Sequence, residues 1–134
     1  MAEEVAMAIR VVRLGSARSP GEMLRLGTVR RPPRGVPKSE FSSQNWYDVW
    51  FPTLAPSVET MKLAQAATNP AQWAAFVRKF RAEMSAPEAR HALALLTALS
   101  HHCDLAIGCY CENEAHCHRS VLRALLVEQG AELE

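Results

Sequence analysis

Short β-rich runs alternate with segments that carry helix-start signals along this 134-residue chain, and this alternation constrains its fold more than any other feature. Such alternation is typical of an α/β protein whose strands run parallel in one sheet. We expect a single domain over residues 1–134, with a mainly parallel sheet flanked by helices in a Rossmann-like arrangement. Strands are predicted at 8–14, 47–51 and 105–110, with a short one within 24–29, and helices at 55–68, 70–84, 86–101 and 117–129.

Ser57 is a candidate N-cap for the helix at 55–68, and the next two predicted helices have recognisable start signals. Asn69 suits an N-cap, Pro70 suits the first helical position, and Gln72 completes a capping box. Ser85 and Glu88 have the spacing of a second capping box. The aromatic and leucine residues that recur at helical spacing inside both helices are expected in the core and not around a cofactor.

No run of about 18 apolar residues occurs in the chain, so the sequence predicts no membrane span. The first residues, MAEEVAMAIR, contain acids where a secretory signal would carry basic residues. We therefore expect a cytoplasmic protein whose thiols are reduced. In that setting, neighbouring cysteines are metal ligands, catalytic groups or incidental core residues.

Positive charge is concentrated in the first third of the chain. Residues 1–39 contain eight Lys and Arg against three Glu, a balance of +5, whereas residues 40–134 contain seven against eleven acids, a balance of −4. An anionic ligand near the first segment would explain this asymmetry. A basic loop that lies against an acidic body explains it equally well, and the sequence leaves both interpretations open.

Three of the four cysteines, Cys109, Cys111 and Cys117, lie within nine residues, and His118 and Arg119 follow directly. In a parallel sheet, ligands bind beyond the carboxyl ends of the strands. Cys109 would end the last strand, and Cys117 and His118 would begin the last helix, so both positions should border one crevice. Arg119 should point toward the rim of that crevice, where its guanidinium could bind a phosphate or carboxylate in bidentate fashion.

The cysteine cluster is open to three interpretations. The first is a reactive thiol at Cys109 or Cys117, with His118 as proton carrier, because a helix amino terminus favours a thiolate. The second is a zinc site, although adjacent residues on a helix point about 100° apart and rarely reach one ion together. The third is ordinary core packing. The ligands of the zinc alternative would be Cys109, Cys111, Cys117 and His118.

We expect no bound zinc. The cysteine cluster offers two pairs that a disulfide could join. A Cys109–Cys111 disulfide is not expected, because side chains two residues apart on a strand stand parallel at roughly 7 Å. A Cys109–Cys117 bridge is sterically conceivable and would make a redox pair. Cys109 should be the more accessible thiol, because it lies at the end of a strand.

The loop after the first strand, RLGSARSPGE at 13–22, should open onto the same crevice. Its glycine lets the backbone approach an anion closely, and the hydroxyl and guanidinium groups around it supply donors. A capped turn is the alternative interpretation. The predicted anion-binding residues are Arg13, Gly15, Ser16, Arg18 and Ser19 from this region, and Arg119 from the last helix.

Four stretches together resemble domain-of-unknown-function family 488, in its YeaO-like branch: RPPRGVPK at 31–38, WFPTLAPSVE at 50–59, NPAQWAAFVRKFRAEM at 69–84 and IGCYCENEAHCHRSVLRALL at 107–126. The resemblance implies a single α/β domain with a parallel sheet, and it implies no particular activity. Members of the broader family often end the last strand with a cysteine and open the next helix with Cys-His-Arg. That pattern corresponds here to Cys109, Cys117, His118 and Arg119, whereas typical YeaO-like members lack the cysteines.

We therefore expect a protein that binds a small phosphate- or nucleotide-bearing anion and acts on it through a thiol, with Cys109, Cys117 and His118 as catalytic groups. The alternatives are a zinc- or redox-responsive binding module without turnover and a nucleic-acid accessory protein. The basic stretch RRPPRGVPK (30–38) has few aromatic residues and its prolines lack N–H donors, so nucleic acid is not the expected partner. No membrane partner or cofactor is expected, and the protein should be a monomer or a homodimer.

Overall fold

The computed structural model describes residues 7–134, and the first six residues of the predicted domain lie outside this range. Within it, four strands form one sheet in the order β1-β4-β2-β3. Every neighbouring pair is parallel, which confirms the predicted α/β class with a parallel sheet. The strands are β1 (Ile9–Arg13), β2 (Leu24–Gly27), β3 (Val49–Trp50) and β4 (Leu105–Cys109).

Four α-helices follow the predicted order: α1 (Val58–Ala66), α2 (Pro70–Met84), α3 (Pro87–Leu99) and α4 (His118–Glu128). The predicted caps of α1 and α2 are present. Ser57 accepts a hydrogen bond from the backbone N–H of Thr60, and Asn69 accepts one from Gln72. None of the helices in residues 7–134 combines the length and the apolar character that crossing a bilayer requires.

The start of α3 differs from the prediction. Its N-cap is Ala86, which makes no side-chain cap, and Pro87 leads the helix. The expected capping box fails because Ser85 already ends α2: its N–H donates to the carbonyls of that helix and its hydroxyl donates to Ala82 O. Ser85, which lies between the two helices, therefore ends α2 and does not cap α3.

Strand β3 is shorter than the predicted strand at 47–51. The reason is that the Asp48 side chain accepts a hydrogen bond from β2 that a backbone carbonyl would accept in a regular ladder. The Asp48 N–H donates to Arg25 O at 2.8 Å, as in a regular ladder. The return bond, however, runs from Arg25 N to the Asp48 carboxylate, also at 2.8 Å. The backbone ladder consequently begins only at Val49, and β3 forms the edge of the sheet.

The main hydrophobic core lies between the helices and one face of the sheet. Leu26 and Ile107 from the central strands pack in one cluster with buried side chains of α2, α3 and α4. Arg25 and Ala106 alternate with them and so face the opposite side. On that side, Arg25 is fully buried and pairs with Glu22, whose side chain is also fully buried. A buried ion pair therefore holds the loop after β1 against the sheet.

The carboxyl ends of the strands meet at the edge where α4 begins. Leu14, just after β1, donates its N–H to Cys109 O at 2.8 Å. Gly108 permits this approach, because a Cβ at that position would lie 2.5 Å from Leu14 Cδ2. A second, smaller apolar cluster forms at this edge, and its buried members are Leu14, Val29, Tyr47, Cys109 and Cys117.

Candidate thiol site and adjoining cavity

Cys109, Cys117 and His118 are brought together at the carboxyl end of β4. All three are buried, and their sulfur and ring-nitrogen atoms lie within 4.8 Å of one another. In the sequence, Cys117 and His118 follow Cys109 by eight and nine residues. The fold brings the three together because α4 starts beside the strand that ends in Cys109. We call these residues, together with Arg119, the thiol cluster.

Cys117 and His118 do not diverge as expected for two neighbours on a helix. Cys117 is the N-cap of α4, with φ −130° and ψ 151°, so its backbone is extended and not helical. Its Sγ consequently lies 3.8 Å from His118 Nδ1. The geometric argument made against a shared site for these two side chains is therefore wrong for this chain.

The ring of His118 is held in one orientation by the backbone of the neighbouring strand. His118 Nε2 lies 2.6 Å from Thr28 O, just beyond β2. A carbonyl oxygen only accepts, so Nε2 carries the proton in this hydrogen bond. Nδ1 faces the Cys117 sulfur, so it can take up the thiol proton and then donate it in a hydrogen bond to the thiolate.

Arg119 belongs to the cluster and does not lie at the rim that the sequence suggested. It is 3 % exposed, its Nε donates to Cys117 Sγ at 3.4 Å, and its Nη2 donates to Cys111 O at 2.6 Å. The guanidinium thus places a fixed positive charge against the sulfur of Cys117. It also ties the loop after β4 to the start of α4.

The thiols of the cluster have opposite tendencies to ionise. Hydrogen bonds from Cys109 and Cys111, with a further contribution from His118, hold the pKa of Cys117 far below its usual value in spite of burial. Hydrogen bonding to Cys111 and Cys117, reinforced by burial, raises the pKa of Cys109 far above its usual value. These directions, together with the contact between Cys117 and the Arg119 guanidinium, favour Cys117 over Cys109 as the thiol that ionises.

Accessibility of the cysteines differs from the sequence-based expectation. Cys109 and Cys117 are 3 % and 2 % exposed, whereas Cys111 is exposed. The chain bends at Tyr110, directly after β4, and this bend turns Cys111 outward. Cys103 lies apart, half-buried against the main core, where its thiol donates to Leu99 O.

A cavity of about 890 Å³ adjoins the thiol cluster. Leu14, Trp46 and Tyr110 belong to its wall and also to the apolar cluster that contains Cys109 and Cys117. Part of its lining, at 13–16 and 31–34, comes from the basic first third of the chain. The complete lining is Arg13, Leu14, Gly15, Ser16, Arg31, Pro32, Pro33, Arg34, Trp46 and Tyr110.

The predicted anion-binding residues separate into three groups. Arg13, Gly15 and Ser16 line the cavity, and Arg119 lies in the thiol cluster. Arg18 instead forms an ion pair with Asp48 at 2.8 Å, and Ser19 accepts a backbone hydrogen bond from Glu22 in a turn. Neither of the last two lines the cavity.

Several residues of the site were not predicted. Arg31 and Arg34 were read only as part of a basic loop, and their position at the cavity depends on how that loop folds back. Tyr110 lines the cavity and donates its hydroxyl to Arg31 O at 2.9 Å, which fixes the loop. Thr28 takes part through its carbonyl, a group that every residue has, so no pattern of residue types could identify it.

Comparison with known proteins gives a family. A search of curated proteins and a search of solved structures each find no match to this chain. Among family models, DUF488-N3a, described as the active DUF488-N3 subclade, matches residues 9–130. This range includes the whole sheet, all four helices, the thiol cluster and the cavity, and it confirms the family suggested by the four sequence stretches. The chain therefore belongs to the DUF488 family, in the group described as its active DUF488-N3 subclade.

Proposed function

We propose that this protein is an enzyme that binds a small phosphate-bearing anion, such as a nucleotide, in the cavity and acts on it through the thiol of Cys117. One observation carries the proposal. The Cys117 sulfur lies 3.4 Å from Arg119 Nε and 3.8 Å from a ring nitrogen of His118, whose other nitrogen is anchored on a backbone carbonyl.

This arrangement has the parts of a nucleophilic thiol site. Such a site needs a nucleophile, a base within reach, and a third group that orients the base. Cys117, His118 and the Thr28 carbonyl correspond to these three parts. Arg119 adds a fixed cation that neutralises the thiolate, since a guanidinium stays protonated in proteins. The description of the matching subclade as active agrees with an enzyme and names no substrate.

The cavity has the lining that a phosphate-bearing ligand requires. Guanidinium groups bind phosphate oxygens in bidentate fashion, and three arginines, Arg13, Arg31 and Arg34, line the cavity. Trp46 and Tyr110 form an edge-to-face aromatic pair with ring centroids 6.0 Å apart. Aromatic faces of this kind stack with nucleobases. Both rings pack against the apolar cluster that contains Cys109 and Cys117, so the wall of the cavity and the surroundings of the thiols have residues in common.

Binding of inorganic phosphate and of adenosine monophosphate tests the cavity. Replacing Arg31 and Arg34 together by alanine removes two charged donors, each worth about 1.5–3 kcal/mol. Isothermal titration calorimetry should show binding at least ~10-fold weaker in this double variant. The matched control is Arg90→Ala, an exposed arginine on α3 that lies outside the cavity. Equal affinity of both variants and the wild type would contradict the proposed site.

The link between cavity and thiol is tested by modification with iodoacetamide. Saturating phosphate should slow alkylation of Cys117 and leave that of Cys103 unchanged, because Leu14 of the cavity wall belongs to the same buried cluster as Cys117, whereas Cys103 packs against the main core. The Arg31→Ala/Arg34→Ala variant should lose this protection. If no anion changed the rate at which Cys117 is alkylated, the thiol and the cavity would be independent. That result would contradict the proposal that Cys117 acts on a ligand bound in the cavity.

A zinc centre is the second candidate, and the same cluster favours it. Cys109, Cys117 and His118 present three donor atoms within 4.8 Å, and a metal-bound histidine usually donates its other N–H to a carbonyl, as His118 does. Cys111 lies 3.7 Å from Cys109 and could supply a fourth ligand. Elemental analysis decides between the candidates. About one equivalent of zinc that is lost in Cys109→Ser would favour the metal centre over the catalytic thiol.

A further inference from the structure

The three sulfurs at the end of β4 form a path from solvent to the interior. Cys111 is exposed, its Sγ lies 3.7 Å from that of buried Cys109, and Cys109 in turn lies within 4.8 Å of Cys117. The proposed function uses Cys117 as nucleophile and leaves Cys109 and Cys111 without a chemical role. Two thiols in contact, one of them exposed, are the elements of a redox pair.

The local backbone makes a bond between them feasible. The expectation that Cys109 and Cys111 stand parallel at roughly 7 Å assumed that the strand continues through both residues. Strand β4 ends at Cys109, and the bend at Tyr110 brings the two sulfurs to 3.7 Å. A disulfide needs them at about 2.05 Å. Cys111 is exposed and free to rotate about its side-chain torsion, so it can close this distance.

We propose that Cys109 and Cys111 are a reversible dithiol/disulfide site that is oxidised by small disulfides from solvent. The Cys111 thiolate attacks one sulfur of the small disulfide, forms a mixed disulfide and releases the first thiolate, which takes up the proton that Cys111 lost. Cys109 then gives up its proton and attacks the Cys111 sulfur. The protein disulfide forms and the second small thiolate leaves with that proton. Two cysteines are oxidised, and one small disulfide is reduced to two thiols.

This modification bears directly on the thiol cluster. In the reduced protein, the Cys109 thiol lies within 4.8 Å of the Cys117 sulfur and donates to Cys111. A Cys109–Cys111 disulfide has no S–H and so leaves a protonless sulfur beside Cys117, while the contacts of Cys117 with His118 and Arg119 remain. The inference goes beyond the proposed function and does not require it, since neither the anion nor the nucleophilic role of Cys117 enters the exchange.

The test uses chelator-treated Cys103→Ser protein incubated with oxidised glutathione at neutral pH. Cleavage after glutamate cuts the chain at Glu112 and Glu114, between Cys111 and Cys117. A Cys109–Cys111 disulfide then gives one peptide that is two hydrogens lighter, and dithiothreitol restores its mass. Further cleavage after Tyr110 should give two fragments that stay joined until they are reduced.

Single variants separate the steps of the exchange. Cys109→Ser should keep glutathione on Cys111 as a stable mixed disulfide, because the second attack is lost. Cys117→Ser should form the same disulfide as the parent, which distinguishes this inference from a failure of the proposed catalytic role. Two outcomes in the parent protein would overturn the inference: glutathione that stays on Cys111 although Cys109 is present, or a bridge that joins the Cys109 and Cys117 peptides.

Discussion

One nitrogen of the His118 ring is hydrogen-bonded to the backbone, so only the other ring nitrogen is left to contact the Cys117 sulfur. The hydrogen bond from Nε2 to Thr28 O leaves only Nδ1 for the sulfur. Arg119 approaches the same sulfur from the following residue of α4. The Cys-His-Arg run was recognisable in the sequence. The contacts between its side chains were not, because they depend on the extended backbone of Cys117 and on the carbonyl of Thr28, just beyond β2.

The contact between Arg119 and Cys117 can be tested by one substitution. Arg119→Met removes the charged donor, and such a hydrogen bond is worth about 1.5–3 kcal/mol. The pH at which the alkylation rate of Cys117, followed by mass spectrometry, is half-maximal should rise by roughly 1–2 units, because the thiolate loses a charged donor. Arg123→Met, on the same helix but paired with Glu114, is the matched control and should react like the wild type.

The buried pair of Arg25 and Glu22 makes a second prediction at this scale. Arg25 Nη1 also donates to Ser16 O at 2.8 Å and to Asn45 O at 2.9 Å, so one side chain holds two loops next to the cavity. Arg25→Met leaves the buried Glu22 with only Arg18, whose Nη1 lies 3.6 Å away, so the cost should lie near the lower end of about 3–5 kcal/mol. Urea denaturation should show this loss of stability. Equal stability of the variant and the wild type would mean that the pair does not support the fold.

A surface ion pair of the same type provides the control for that prediction. Arg81 and Glu128 are bonded at 2.6 Å, but both side chains are more than a third exposed. Arg81→Met should lower the stability much less than Arg25→Met, because water screens the charges in both states. Similar losses in the two variants would indicate that burial is not what makes the Arg25 pair important.

At the scale of elements, the sequence predicted what local residues determine. The caps of α1 and α2 depend on side chains within the same few residues, and both are present. The start of α3 and the length of β3 depend on competition: Ser85 is used by the preceding helix, and the Asp48 carboxylate replaces a backbone acceptor. A sequence pattern that describes one element at a time cannot predict either of these competing interactions.

The role of Asp48 at the sheet edge predicts a dependence of stability on acid. Burial opposes its ionisation, but hydrogen bonds from Arg18, Ser42 and the Arg25 N–H outweigh burial and lower its pKa from 3.8 to about 2. The folded state therefore favours the carboxylate. Its contribution is present above the unfolded pKa of 3.8 and is lost as the pH falls toward 2, and because Asp48 is partly exposed to solvent we expect it to be worth about 1 kcal/mol.

Urea unfolding of the wild type and of Asp48→Asn over this pH range measures that contribution. The wild type should lose stability between about pH 4 and pH 2. The amide in the variant cannot ionise, so Asp48→Asn should be less stable at neutral pH and should have a flatter profile through the same range. Parallel profiles for the two proteins would show that Asp48 is not the titrating group.

On the scale of the whole molecule, the uneven charge has two explanations and both hold in part. Three of the seven arginines in residues 1–39 form ion pairs within the protein: Arg10 with Asp104, Arg18 with Asp48, and Arg25 with Glu22. Arg31 and Arg34 remain at the cavity, next to Arg13. Net charge by segment could not separate these groups, because the sorting depends on tertiary contacts.

The ultraviolet absorbance band of thiolates measures directly whether the neighbours of Cys117 hold it as a thiolate. The measurement compares chelator-treated wild type, Cys117→Ser and Cys103→Ser at neutral pH, with circular dichroism to confirm that all three are folded. The account predicts that the wild type and Cys103→Ser show the absorbance of one thiolate and that Cys117→Ser lacks it. Identical spectra for the three folded proteins would contradict the account, because Cys117 would then be a protonated core residue.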